Sequence, residues 1–285
     1  MGATGQLGRR VMQALLDNGA SADELITSVR SPKKAHDLFG HHFTVRHGDY
    51  NEPTSLRLAF KETDILLLIP TFAPVEQRVS QHFNALQAAK DAGVKRVVFV
   101  SFMAAEPGSQ FLIAPFYLYA EAKLRLSGLP WTIVRNGMYI DPVADWIPDL
   151  VEMGHLPYPV DHGKVAYISR DDLARGLAAT CLAEKQQGKL YKFTGSKAIS
   201  MEELAGIISE VTGQHIPFKK VSEEEFSQIC RTDNVTDSMI EILLSMYRAV
   251  ERREFETVTN HLEQVTGSPP KPVEKAMEKY LMQSD

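Results

Sequence analysis

Apolar positions in the first half of the chain switch repeatedly between a helical and an extended period. Val11, Met12, Leu15 and Leu16 recur at helical spacing and stop near Asn18 and Gly19, predicting an opening helix. Residues 25–29 then read as a strand ending at Arg30, residues 32–39 as a short helix, and residues 43–46 as a strand ending at Gly48, Asp49 and Tyr50. Residues 53–60 are helical. Residues 64–70, Asp-Ile-Leu-Leu-Leu-Ile-Pro, form the unbroken apolar run expected of a parallel strand covered on both faces. A long helix over 75–92 stops at Gly93, a strand over 97–100 ends at Ser101, a helix covers 115–126, and a strand over 131–134 ends at Arg135, Asn136 and Gly137. Strands separated by helical stretches imply right-handed crossovers and a parallel sheet.

The texture changes after residue 138. Residues 139–159 carry several prolines and aromatics, and 169–183 form a helix capped by Ser169 or Asp171. Residues 191–193 are a short strand. Residues 200–213 are a helix in which Ser200 caps and Glu203 returns the bond. From 221 onward the chain is mostly helical.

The opening residues Met1-Gly2-Ala3-Thr4-Gly5-Gln6-Leu7-Gly8 give this alternation a meaning. Three glycines three apart, leading directly into a helix, form the turn on which a Rossmann-like sheet seats a dinucleotide pyrophosphate. Gly2 permits the tight turn, Gly5 admits the phosphates close to the backbone, and Gly8 lets the helix pack near the sheet. An ordinary glycine-rich turn is the bland alternative. The expected fold is therefore α/β: a doubly wound parallel sheet with a small C-terminal α+β lobe. Residues 1–138 would be an NAD(P)-binding domain. Residues 139–285 would be a smaller, mostly helical substrate lobe, interleaved with the last strands. Only Met1 precedes the glycines, so the first strand, central in the order 3-2-1-4-5-6, is missing from the pattern. We expect a chain that starts some residues upstream or that has been truncated.

Composition narrows the partners. The 285 residues are 44% hydrophobic and 24% charged, with a net charge of −5, which argues against a general nucleic-acid binder. No apolar run approaches the ~18 residues of a membrane span, and no signal peptide is visible. Cys181 and Cys230 lie far apart and read as free thiols of a cytoplasmic protein. His41, His42 and His47 cluster without cysteines or carboxylates at ligand spacing, so no metal site is expected. The chain is expected to be a monomer or a homodimer.

The ends of the strands carry the candidate site, because ligands of such sheets bind at the carboxyl edge. Arg30 stands where an acid would hold a ribose 2′-hydroxyl; with Lys33 and Lys34 it suits the 2′-phosphate of NADP, or is a solvated basic turn. Asp49 and Tyr50 are placed to meet the adenine, unless Asp49 or Asn51 caps the next helix. Pro70, Thr71, Ser101 and Phe102 would floor the nicotinamide ribose. Asn136, Gly137, Met138 and Tyr139 would line the nicotinamide and substrate side. Trp146 and Ile147 extend an apolar pocket for a flat substrate, or simply pack the lobe. Gln81, His82 and Asn84 read as a polar buttress under the sheet.

Several of these stretches together resemble the NmrA-like branch of the atypical short-chain dehydrogenase/reductase family. They are Gly2 to Gly8, Ser28-Val-Arg30, Gly48-Asp-Tyr50, Gln81-His-Phe-Asn84, Ala92-Gly-Val-Lys95 and Arg135-Asn-Gly-Met-Tyr139. The similarity continues through Ile168-Ser-Arg-Asp-Asp-Leu-Ala174 and Val265-Thr-Gly-Ser-Pro-Pro270. The resemblance implies a Rossmann fold, NADPH binding, and often reduction of quinones or other conjugated electrophiles; with Arg30, NADPH is expected in preference to NADH. Some relatives only sense the cofactor and regulate a protein partner.

Tyr119-Ala-Glu-Ala-Lys123 matches the Tyr-x-x-x-Lys pair of the wider family, in which the lysine lowers the phenol pKa for proton donation. The register counts against it. The family's catalytic lysine position falls near Tyr117, where quinone-reductase-like relatives carry a histidine. Tyr117 is the rival donor. A third possibility is that no side-chain acid is needed, because a reduced quinone can take its proton from water. The expected function is hydride transfer from NADPH to a conjugated small-molecule acceptor. The alternatives are a non-catalytic NADP(H) sensor and a nucleotide-sugar epimerase, which would want an in-register Tyr/Lys pair.

Overall fold

The computed structural model describes residues 1–40 and 42–281. Helix α1 (Gln6–Asp17) leads to β1 (Ile26–Val29), α2 (Pro32–Phe39) and β2 (Thr44–His47). There follow α3 (Pro53–Ala59), β3 (Ile65–Leu68), α4 (Val75–Asp91), β4 (Arg96–Phe102), α5 (Ala114–Leu126) and β5 (Trp131–Asn136). The second half holds α6 (Asp141–Asp145), α7 (Ile147–Met153), β6 (Leu156–Tyr158), β7 (Lys164–Val165), α8 (Arg170–Leu182), β8 (Lys189–Phe193) and β9 (Ile199–Ser200). It closes with α9 (Met201–Thr212), β10 (Phe218–Lys220), α10 (Glu223–Thr232), α11 (Asp237–Glu251), α12 (His261–Thr266) and α13 (Val273–Leu281).

The sheet is parallel and doubly wound. Its main part runs β3-β4-β5-β8, so the second half of the chain supplies a strand to the first. Alternate residues of the strands bury opposite faces. Leu66, Leu68, Val97, Phe99 and Ile133 join Leu56, Leu86, Phe116 and Leu124 of α3, α4 and α5. Val98, Val100 and Val134 meet Leu7 and Val11 of α1 and Leu173 and Leu177 of α8 on the other face. This double burial explains why these strands are continuous apolar runs.

The strands β1 and β2 pair in parallel as a separate ladder. Where the sequence pattern expects one sheet, the described residues form two pieces. The Met1 nitrogen donates to the Leu67 carbonyl at 3.0 Å, at the outer edge of β3. Two minor ladders, β6 with β10 and β7 with β9, tie the lobe together. The sequence did not signal them, because each strand has only two or three residues and β6 contains Pro157. The caps of α8 and α9 form at Ser169 and at the reciprocal Ser200–Glu203 pair. Both cysteines are buried free thiols. Among the described residues no helix is long and apolar enough to cross a membrane.

Candidate active site

The glycine turn opens α1 without a side-chain cap and without an acidic residue in the first turn. The N–H groups of Gln6, Leu7 and Gly8 therefore have no partner within the helix and face outward at its positive end. Gly2 sits at φ 82°, and the Gly5 N–H closes the turn onto the Gly2 carbonyl at 3.1 Å. A Cβ at Gly8 would lie 2.1 Å from the Gly2 oxygen, so only glycine brings the helix this close. Ala3 and Leu7 are buried and anchor the turn on the sheet, while Thr4 is half-buried. The Gln6 amide oxygen accepts from Arg9 at 3.2 Å and Arg10 at 3.0 Å; Arg10 is also ion-paired with Asp171 at 3.0 Å, so Arg9 is the more open cation beside the helix end. A pyrophosphate fits this combination of free donors and positive charge.

At the end of β1, Arg30 is exposed and makes no ion pair among the described residues. Lys33 and Lys34 are also exposed, on the first turn of α2, which Ser31 caps by accepting from the Lys34 N–H at 3.3 Å. The end of β2 differs from the sequence expectation. The Asp49 carboxylate accepts from the Asn51 N–H at 2.8 Å, and Glu52, not Asp49 or Asn51, precedes α3. Tyr50 is buried in the core and its hydroxyl donates to the Ile69 carbonyl at 2.7 Å, so its ring does not stand open for an adenine. At the end of β3, Pro70 and Thr71 border a small internal void. The Thr71 hydroxyl is committed to Gln81, to which it donates at 2.6 Å.

The end of β4 requires a second correction. Ser101 is buried and its hydroxyl donates to the Glu121 carboxylate at 2.6 Å, so it faces α5 and not a nicotinamide ribose. Glu121 also accepts from Arg135 at 2.8 and 2.9 Å and from Arg125 at 3.2 Å, while Arg135 additionally bonds Glu106. Phe102 instead belongs to an aromatic wall. Its ring stacks on Tyr117 with centroids 5.9 Å apart, and Phe111 and Phe255 pack on it at 5.3 and 5.5 Å.

Asn136 ends β5 fully buried. Its amide nitrogen donates to the Tyr139 hydroxyl at 3.0 Å, and its amide oxygen has no partner among the described residues. A buried acceptor open in this way can take a hydrogen bond from a bound ligand or an ordered water. A Cβ at Gly137 would stand 3.2 Å from the carbonyls of Ala166 and Phe193, which keeps this crossing tight. Tyr139 is half-buried, with the Arg170 guanidinium 5.4 Å from its ring centre. Burial pushes its phenol up to about 12. Met138 is buried and packs into the same core cluster against which Phe102 and Tyr117 lie. Trp146 packs 5.8 Å from Tyr158, with a buried indole N–H that has no acceptor among the described residues.

The three catalytic candidates share α5 but not a face. Tyr117 lies on the side that packs against the sheet, near Phe102, Phe116 and Tyr139. Tyr119, two positions on, is more than half a turn around the axis. Its ring is covered by its own Lys123, whose exposed ammonium lies 5.5 Å from the ring centre. Burial raises the Tyr117 phenol and Arg78 pulls it back.

Arg78 is the residue that sequence reasoning missed. It is 4% exposed in the first turn of α4, between the rings of Phe72 and Phe116 at 5.9 and 5.8 Å. The signal was present, because Arg78 occupies the apolar stripe of Val75, His82, Ala85, Leu86 and Ala89. Arg10, Asp141 and Arg170 were also missed. Asp141 is buried, accepts from the Arg170 N–H at 2.9 Å and lies 3.9 Å from Arg10, linking α1 to α6 and α8. On α4, His82 Nε2 donates to the Ala120 carbonyl at 3.0 Å and Asn84 donates to the Tyr50 carbonyl at 2.9 Å, as ties beneath the sheet. His47 contacts Glu52 at 3.3 Å, and His41 lies outside the described residues. No metal-ligand cluster occurs among the described residues.

Comparison with known proteins agrees with this geometry. The model of a family described as NAD(P)H-binding matches residues 2–184. Quinone oxidoreductase 2 of Escherichia coli K12 is 31% identical over 85% of this chain and 84% of its own. Triphenylmethane reductase of Citrobacter sp., solved with NADP(H), superposes with a TM-score of 0.92 at 31% identity, over 98% of both chains. A Staphylococcus aureus structure described as a nucleoside-diphosphate-sugar epimerase gives 0.91 at 32% identity, over 97% of this chain and 98% of that one. With a dinucleotide turn formed in place and a family match spanning most of its length, the chain belongs to the NAD(P)H-binding family.

Proposed function

We propose that this protein is an NADPH-dependent reductase of quinone-like or other conjugated small molecules. The uncapped α1 end at the carboxyl edge of the sheet carries this reading, because it presents the donors a dinucleotide pyrophosphate needs. Gly2 to Gly8 would hold the pyrophosphate, with Arg9 and Arg10 beside it. Arg30 and Lys33 would meet a 2′-phosphate, giving NADPH preference over NADH. The open Asn136 oxygen and the Gly137 crossing would fix the nicotinamide end. When bound, the reduced nicotinamide supplies a hydride. The flat wall of Phe102, Tyr117 and Tyr139 suits a planar acceptor and keeps water from its face. The activities of the E. coli and Citrobacter relatives support the same acceptor class.

The Staphylococcus neighbour favours a second reading, a sugar-nucleotide epimerase. That chemistry needs a phenol and a lysine on the crevice side, whereas Tyr119 is covered by Lys123 on the far side of α5. Tyr119→Phe separates the two. Turnover of NADPH with a quinone should change less than about threefold. A loss of nearly all activity, or epimerisation of a sugar nucleotide by the wild type, would reverse the assignment.

A further inference from the structure

Arg78 presents a problem that the dinucleotide site does not solve. It is a buried guanidinium, and among the described residues it has no carboxylate within ion-pair distance. Buried charges are ordinarily paired, because desolvation is costly. Its partners are instead the Ala73 carbonyl, which accepts from Nε, and the faces of Phe72 and Phe116; Tyr117 packs on the same Phe116 ring, with centroids 5.1 Å apart, which brings its phenol into the electrostatic reach of the guanidinium. Phe72 is 90% exposed and lies over the guanidinium as an outer cover.

The surroundings of Tyr117 show why a cation is needed there. In a Tyr-x-x-x-Lys pair the lysine stands one turn after the tyrosine. One turn after Tyr117 stands Glu121, a buried carboxylate already held by Ser101, Arg125 and Arg135. Helix α5 thus offers Tyr117 no lysine. From the β5 side Tyr139 faces it, with Arg170 and Asp141 behind that ring. From α4 come His82, which burial lowers to about 4 and so keeps neutral, and Arg78. Tyr50, also on the void beside Arg78, is a neutral phenol bonded to Ile69.

We infer that Arg78 is the cationic partner of Tyr117, orienting the phenol and holding the phenolate left after it has protonated the reduced acceptor. This rests on the reductase reading. The acceptor gains two electrons as hydride from the reduced nicotinamide and becomes an oxyanion. The Tyr117 O–H bond then breaks, an O–H bond forms on the acceptor, and the phenolate stays beside Arg78 until water returns the proton. One NADPH and one proton are consumed per two-electron reduction. Arg78 acts through Tyr117 and is a positioning residue. The tyrosine–cation pair is thereby assembled from two helices instead of one.

The test uses Y117F, R78M, R78K and the Y117F/R78M double variant. The Tyr117 ring carbon signal, assigned by its loss in Y117F, is titrated by NMR in cofactor-free protein labelled at tyrosine Cζ. In R78M this signal should titrate about one pH unit or more higher than in the wild type, with R78K in between. In NADPH turnover with a quinone, Y117F and R78M should each lose about tenfold or more in kcat. The double variant should lose no more than the worse single, because Arg78 works through Tyr117. An unchanged Tyr117 titration, or losses that multiply, would overturn the pairing. If R78M does not fold, R78K decides: an unaltered kcat and an unaltered titration both count against it. A wild type that reduces no acceptor removes the reductase reading, while the titration still decides whether Arg78 and Tyr117 are paired.

Discussion

Gly8 has no substitute within this turn. Its Cβ position lies 2.1 Å from a backbone oxygen, which cannot move as a side chain would. Gly8→Ala should weaken NADPH binding about tenfold or more, read by nucleotide fluorescence, and an unchanged affinity would remove the turn from the site. Arg30 is exposed and unpaired with any acid among the described residues, so its change should leave the fold intact. Arg30→Glu should raise the KM for NADPH about tenfold while altering that for NADH far less, as loss of a charge-assisted contact requires. His82 carries a different prediction. Burial lowers its pKa from 6.5 to about 4, so the unfolded chain binds the proton first on acidification. Stability from this group is full above about pH 6.5 and is lost as pH falls towards 4, about 3 kcal/mol in all. Urea unfolding at pH 7 and pH 4 should show His82→Gln losing less stability than the wild type; equal losses would exonerate His82.

At the scale of elements, Glu121 binds α5 to β4 and β5. It is 1% exposed and receives bonds from Ser101 on β4 and Arg135 on β5. Glu121→Gln leaves Arg135 buried against a neutral group, with only the exposed Glu106 as counter-charge. We expect a loss of about 3–5 kcal/mol in urea unfolding; a loss under about 1 kcal/mol would show the cluster to be incidental. This cluster also shows where sequence reading stops. Helix and strand positions were legible because double burial writes continuous apolar runs and helical stripes. The direction of a side chain at a strand end was not. Ser101 follows Val100 at the ligand edge, yet its hydroxyl turns to α5, and Tyr50 turns inward to Ile69. These orientations depend on partners 19 or 20 residues away, which no local pattern records.

For the whole molecule, the family fold, the open α1 end and the aromatic wall lie along one edge of the sheet. The glycine turn was readable because its chemistry is local. The contribution of Arg78 was not, because its meaning arises only when α4 meets α5. The Met1 nitrogen bonds Leu67 of β3 at 3.0 Å and Ala3 packs with Val29 of β1, so the glycine turn sits between the two sheet pieces. Cofactor binding should therefore bridge β1 and β3 and raise the free energy of unfolding by about 2.7 kcal/mol at a hundredfold excess over Kd. The most direct measurement is anaerobic mixing of the protein with NADPH and a small p-quinone, following absorbance at 340 nm and the hydroquinone formed. Stoichiometric NADPH loss and hydroquinone gain are expected, faster than with NADH. NADPH that binds tightly but remains unoxidised with every quinone tried would contradict the reductase and leave a cofactor sensor in its place.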